Sequence, residues 1–120
     1  MKNNLLIRIG LSVIMFMHSI PSIISGDVLS FGKDYLGHQG FGFLGLPVAI
    51  LIKTTHLLSI YTLLVNRFIK WTIIFNCIIF LVGIYMIHWQ NGWYVVGGGR
   101  NGIEFNFLLL VCFMSLWESE

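Results

Sequence analysis

Charge is what this chain has least of. Of its 120 residues 10% are charged and 57% hydrophobic, with a mean hydropathy of +0.85. Soluble domains average about 25% charged and 45–50% apolar residues, and a small domain leaves a large fraction of its surface in contact with solvent. A soluble core of this length could not hide so much apolar area, so lipid is the expected solvent. Basic charge is sparse as well. The net charge is +2 and no run of Lys or Arg exists, which excludes an interface that follows a nucleic-acid backbone. Cysteine is equally scarce. Cys77 and Cys112 lie inside apolar runs, so a disulfide framework is excluded by count, and the two read as small buried hydrophobes. With Lys2 as a positive start the first run could be read as a signal peptide, but Arg8 interrupts it and no A-x-A-like site precedes Asp27, so a retained first helix is expected. With no repeats, linkers or low-complexity tails, residues 1–120 read as one transmembrane domain.

Four apolar runs are present, over residues 5–24, 41–65, 68–87 and 103–117. A spanning helix needs about 20 mostly apolar residues, with a range of 17–25. Three runs qualify as they stand. The last reaches span length if its helix starts near Gly99, which gives spans of approximately 5–24, 41–65, 68–87 and 100–117. The expected fold is all-α, an integral membrane four-helix bundle, and the lone pair Asn66-Arg67 predicts a tight hairpin between the second and third helices. Lys2, Arg8, Arg67 and Lys70 fall on one side of such a bundle, and Lys33 and Arg100 on the other. The positive-inside rule then predicts both termini inside. Trp71 and Trp117 would mark the inner interface, and Tyr35, Trp89, Trp93 and Tyr94 the outer one.

Polar residues within spans are costly, about 2.5–3.5 kcal/mol for a mid-helix charge on insertion scales. In helix one, Arg8, Ser12, His18, Ser19 and Ser22 fall on one face at ~100° per residue. In helix two, Lys53 and His56 are i, i+3 neighbours, and Gly42, Gly45 and Ala49 share their face. Small residues let helices approach closely, so these two polar faces are expected to pack together with Pro47 turned away. A rise of ~1.5 Å per residue places Arg8 and His56 at one depth, with Lys53 a turn further out. Arg8, Lys53 and His56 thus form an expected inner ligand-binding group, cationic and without a carboxylate. The same reckoning separates His18 from His56 by ~12 Å, too far for two axial ligands of one haem. For zinc, only His18, His88 and Glu104 could converge, and no metal is expected. His18, His88, Asn91, Arg100 and Glu104 form the expected outer polar site, with Glu104 accepting a hydrogen bond from protonated His88.

Gly97-Gly98-Gly99-Arg100-Asn101-Gly102 matches G-x-G-x-x-G but follows no strand, so it reads as a re-entry loop rather than a dinucleotide fingerprint. Its N–H groups, next to a helix start, could hold an anion. No nucleophile–base constellation is visible, and a hydrolase cannot be argued.

The order of short motifs resembles the DoxX-like family of small four-helix membrane proteins along nearly the full length. Leu6-Ile7-Arg8-Ile9-Gly10-Leu11 opens the first helix with His18 ten residues on. Leu44-Gly45-Leu46-Pro47 resembles the segment before the family's second helix, and Arg67 follows that helix as the family's short turn does. His88-Trp89-Gln90-Asn91-Gly92-Trp93, then Gly98-Gly99 and Glu104, resembles the family's ending. Lys53 or His56 stands near the family's helix-two Glu, and Ser19 replaces the usual glycine after the first-helix His. The resemblance implies a redox-associated protein of the bacterial cytoplasmic (inner) membrane rather than a proven enzyme; the cofactor stays open, with quinone the candidate, and the candidate partner is a membrane or periplasmic redox protein. Three functions follow as expectations. The first is a redox accessory or quinone-interacting subunit, whose buried donors bond a quinone carbonyl. The second is a non-catalytic assembly or binding module. The third is a small dimeric transporter, disfavoured because helix one carries Arg8 and His18 where such pumps use a carboxylate.

Overall fold

The computed structural model describes residues 4–96 and 101–119, whose regular secondary structure is all helical, with no strand among them. Five α-helices are present: α1 (Leu5–Ser25), α2 (Asp27–Ser30), α3 (Gly45–Val65), α4 (Ile69–Gly83) and α5 (Glu104–Met114). A π turn (Phe31–Tyr35) and two 3-10 turns (Leu36–Gln39, Gly42–Leu44) join α2 to α3. Beyond α4 a π turn (Ile84–His88) and a 3-10 turn (Trp89–Asn91) prolong the helix. Three helical stretches, Leu5–Ser25, Gly42–Val65 and Ile69–Asn91, are long and apolar enough to cross a membrane.

The fourth expected span differs. Residues 101–103 are not helical and α5 holds 11 residues, about 16 Å at 1.5 Å per residue, against a hydrocarbon core of about 30 Å. The expected start near Gly99 lies outside the described residues. Apolar composition over 103–117 signalled a helix, but its length was set by Glu104, whose carboxylate turns back to the preceding loop and fixes the start there.

The chain forms two compact units, residues 5–67 and residue 4 with the segment from Phe68 onward. In the first, α1 and α3 pack antiparallel. The buried residues of α1 are Arg8, Leu11, Ser12, Met15 and Ser19, and those of α3 are Gly45, Ala49, His56, Ser59 and Leu63. Each set follows the 3.6-residue period of one helix face. Three of these residues are serines, and each hydroxyl donates to its own helix four residues back: Ser12 to Arg8 O (2.8 Å), Ser19 to Met15 O (2.7 Å) and Ser59 to Thr55 O (2.7 Å). A serine so satisfied packs as a small residue. Pro47 is exposed, and Gly42 stands apart from the helical face, in the 3-10 turn with φ 58. α3 ends where Asn66 adopts the left-handed conformation (φ 57), a C-terminal position that Asn tolerates well.

In the second unit α4 and α5 share Phe80 and Phe113, whose ring centroids lie 5.7 Å apart. Asn106 of α5 donates to Phe80 O (3.3 Å), and Asn4 donates to the Ser119 hydroxyl (3.0 Å).

Two glycines of the first unit carry opposite expectations. A Cβ on Gly45 would collide with Gly32 O, whereas one on Gly10 would meet nothing within 4 Å. Gly10→Ala is therefore expected to raise unfolding free energy by about 0.5–1 kcal/mol, the helix-propensity gain. Gly45→Ala is expected to lower the thermal midpoint, read by circular dichroism in detergent.

Candidate functional site

The polar side chains of α1 and α3 meet at two levels. Near one end, Arg8 is 3% exposed and its Nη1 donates to Leu63 O (2.7 Å) and Leu64 O (3.4 Å). These carbonyls belong to the last turn of α3, where no further helical N–H is available and the helix dipole is negative. Arg8 therefore acts as a C-terminal cap supplied by the neighbouring helix.

At the second level stand Lys53, His18 and His56. The Lys53 ammonium donates to His18 O at 2.5 Å, and the two imidazole centroids lie 6.2 Å apart, tilted by 56°. His56 is buried, Lys53 half-buried, and His18 exposed at the edge of the seam. The local cause is in α1. Pro21 sits inside that helix, lacks the N–H that would bond Met17 O, and crowds that carbonyl. Lys53 places its charge on the carbonyl next to this gap. An ammonium has three donors, so one bond to His18 O leaves two directed elsewhere. Neither α1 nor α3 contains Asp or Glu, and the chemistry available here is that of clustered bases: donation to a carbonyl or an anion.

This arrangement corrects the expected inner group. Arg8 lies level with Leu63, not His56, and His18 joins Lys53 and His56 in its place. The depth reckoning counted helix two from residue 41, but the α-helix begins at Gly45, and α1 and α3, each of 21 residues, pack side by side along their lengths. The ~12 Å expected between His18 and His56 is replaced by 6.2 Å between their rings, so the distance argument against paired imidazoles does not hold.

The expected outer site is also arranged differently. Glu104 Oε1 accepts the backbone N–H of Val95 (2.7 Å) and Val96 (3.1 Å). His88 Nδ1 bonds Asn101 O (2.7 Å), which as an acceptor requires the proton on Nδ1, and Asn91 donates to Ile87 O (3.0 Å). His88 and Glu104 thus hold one loop by separate backbone partners rather than pairing with each other. Arg100 lies outside the described residues, and His18 takes its partners from α3. Gly102 completes the loop: a Cβ there would lie 2.5 Å from the Trp93 carbonyl carbon. Beside it Ile103 N donates to Gly92 O (3.0 Å) and Glu104 N to Trp93 O (2.9 Å). Among the described residues no group of three or more His, Cys, Asp or Glu could hold a metal ion. Cys77 and Cys112 are free thiols, both half-buried.

Comparison of the chain with models of known families, with curated proteins and with solved structures gives no match.

Two residues gain roles that sequence reasoning missed. Pro21, three positions after His18, was the available signal for a carbonyl-rich site on α1. For the Leu63 carbonyl as partner of Arg8 the signal was the end of α3 itself, marked by Asn66.

Arg8→Met should lower unfolding free energy by about 1.5–3 kcal/mol, the range for a hydrogen bond to a charged group, with Arg8→Lys recovering part of it in thermal unfolding. Glu104 gives a pH expectation. The N–H groups of Val96 and then Val95 hold its carboxyl below its ordinary 4.5. A depressed acid contributes fully above its ordinary value, and the contribution drains away as pH falls through the lowered one. Amide exchange at Val95 and Val96, corrected for intrinsic rate, should be slow at neutral pH and accelerate once pH has fallen below the ordinary carboxyl value. Glu104→Ala should exchange fast at every pH.

Proposed function

We propose that this chain is an integral membrane protein of DoxX-like type, N-in and C-in in a bacterial cytoplasmic membrane, that binds a quinone at Lys53, His18 and His56 as a redox-associated accessory subunit. Membrane integration is supported by how little of each apolar helix the chain itself covers. The windows in Leu5–Ser25, Gly42–Val65 and Ile69–Asn91 are 28%, 22% and 22% buried. Surfaces that apolar and that open need lipid. The proposed four-helix count takes α5 as its fourth, shorter helix.

The observation that carries the ligand reading is the Lys53 cluster. A lysine near the middle of a span is expensive unless it does something, and here it stands among two imidazoles and no carboxylate. A quinone has two carbonyl oxygens and an apolar ring, so it needs donors at one point of an otherwise greasy seam. The Lys53 ammonium supplies them to a carbonyl oxygen, and the positive group favours added electron density on that oxygen in a dry site. A non-catalytic assembly module is the second reading, favoured by one observation: Lys53 already donates to His18 O, a purely structural use of its charge.

The test separates these readings. Protein purified from native membranes is extracted, and quinone per mole is measured by mass spectrometry. Wild type should retain quinone at a stoichiometric fraction, and Lys53→Met, which keeps length and removes charge, should lower it at least tenfold at unchanged helicity. Wild type without quinone, or Lys53→Met retaining as much as wild type, favours the structural role.

A further inference from the structure

The link between α1 and α3 is not an ordinary loop. It leaves α1 through Gly26 (φ 83), makes α2, the π turn and a 3-10 turn, and exits through Gly40 (φ 106) and Gly42 (φ 58). Left-handed backbone at both ends is glycine's territory, and such positions absorb the dihedral changes of a moving segment. Between the two ends the segment is helical and two-faced. Gly32 and Leu36, four residues apart, are buried, while Lys33, Asp34, His38 and Gln39 are exposed.

The buried face lies directly on α3. A Cβ added to Gly32 would come within 2.6 Å of Leu46 Cα and 3.1 Å of Ala49 Cβ, and one on Gly45 within 2.8 Å of Gly37 N. The backbone of the segment touches the first turns of α3. What lies beneath is the same stripe that leads to the basic cluster, since Ala49 precedes Lys53 by one turn and side chains four apart share a face. Two of the segment's polar side chains bond within it. Ser30 Oγ donates to Asp27 O (3.0 Å), His38 Nδ1 bonds Asp34 O, and the Phe31 and Tyr35 rings stack at 5.5 Å. No side-chain hydrogen bond ties it to α3 among the described residues. It is a preformed body gripped by glycine backbone and one leucine.

We propose that residues 27–39 are a lid, hinged at Gly26 and Gly40, that closes the water-facing end of the α1–α3 seam above Lys53. The lid rests on the reading of Lys53 as the ligand site and governs access to it. The closed position seats Gly32 in the notch formed by Gly45, Leu46 and Ala49. The open position releases Leu36, and the path along Ala49 to Lys53 is then clear.

The experiment follows a thiol, not a ligand. Ser19→Cys places a near-isosteric reporter on the fully buried face of α1, in full-length chain carrying Cys77→Ala and Cys112→Ala. In nanodiscs, where both faces meet water, a charged methanethiosulfonate should modify it slowly. Gly32→Val, which cannot seat, and Leu36→Ser, which loses the apolar grip, should each speed modification at least tenfold with helicity and elution unchanged. Equal rates with and without these substitutions overturn the lid, and Leu36→Ser decides alone if Gly32→Val does not fold. The assay contains no quinone, so its failure leaves the ligand reading standing, and a quinone-free wild type leaves the lid standing.

Discussion

The close approach of α1 and α3 is the contact on which the rest of the first unit depends. In the proposed lipid setting two apolar helices gain nothing from hydrophobic burial against each other, so what joins them is packing and polar bonding. Polar groups there must be satisfied within the protein. This chain does so mainly by aiming donors at backbone carbonyls. The hydroxyls of Ser12, Ser19 and Ser59 turn back on their own helices, which leaves only small surfaces between the helix axes. Two cationic side chains then cross the seam, Arg8 to the end of α3 and Lys53 to the carbonyl beside Pro21. Because these crossings sit at different levels, a slip of one turn would break both. The register is pinned twice.

That pinning is compatible with the ligand role proposed for the lysine. A carbonyl accepts the charge without neutralising it, unlike a carboxylate, which would make an ion pair and leave little for a ligand. Lys53 is thus oriented by a carbonyl, with no carboxylate on α1 or α3 to pair with it. The same logic separates it from Arg8. Arg8 meets two carbonyls at a helix terminus whose dipole already favours a cation, and it is almost fully covered, which suits a cap.

How much of this was legible in the sequence depends on whether the governing signal is periodic or local. The three long apolar helices and the polar stripes of α1 and α3 repeat every turn, and their placement on facing sides followed from counting alone. Pro47 turned outward for the same reason. Failures came where one residue set an end. Gly42 was assigned to the helical face, but its positive φ belongs to a turn, and the error in the helix start carried into the depth of His56. Glu104 was read as a partner of His88, since two titratable side chains near one loop suggest a pair. Its carboxylate instead accepts the N–H groups of Val95 and Val96, a backbone geometry that no side-chain pattern encodes. The contact of Gly32 with α3 lies in the same class, because a glycine announces freedom but not what will approach it.

The two units handle polarity in different ways, and the difference locates the chemistry. In α4 and α5 the charged residues stand in the first turns, Lys70 and Glu104, and the interior polar residues Thr72, Asn76 and Asn106 are neutral. Asn76 donates to Thr72 O (2.9 Å) and Asn106 to Phe80 O (3.3 Å), bonds that hold backbone to side chain at the modest cost of burying an amide. A helix pair built this way has little to offer a ligand that needs charge. In α1 and α3 the expense is greater, since Lys53 lies well inside the span, and neutral residues could have joined those helices as amides join α4 and α5. Packing does not require a lysine there. The segment that covers this level, from Gly26 to Gly40, is also the one part of the first unit built with left-handed glycines at both ends. The segment packs on Gly45, Leu46 and Ala49, and Lys53 follows Ala49 by one turn of α3, the placement on which the proposed lid rests.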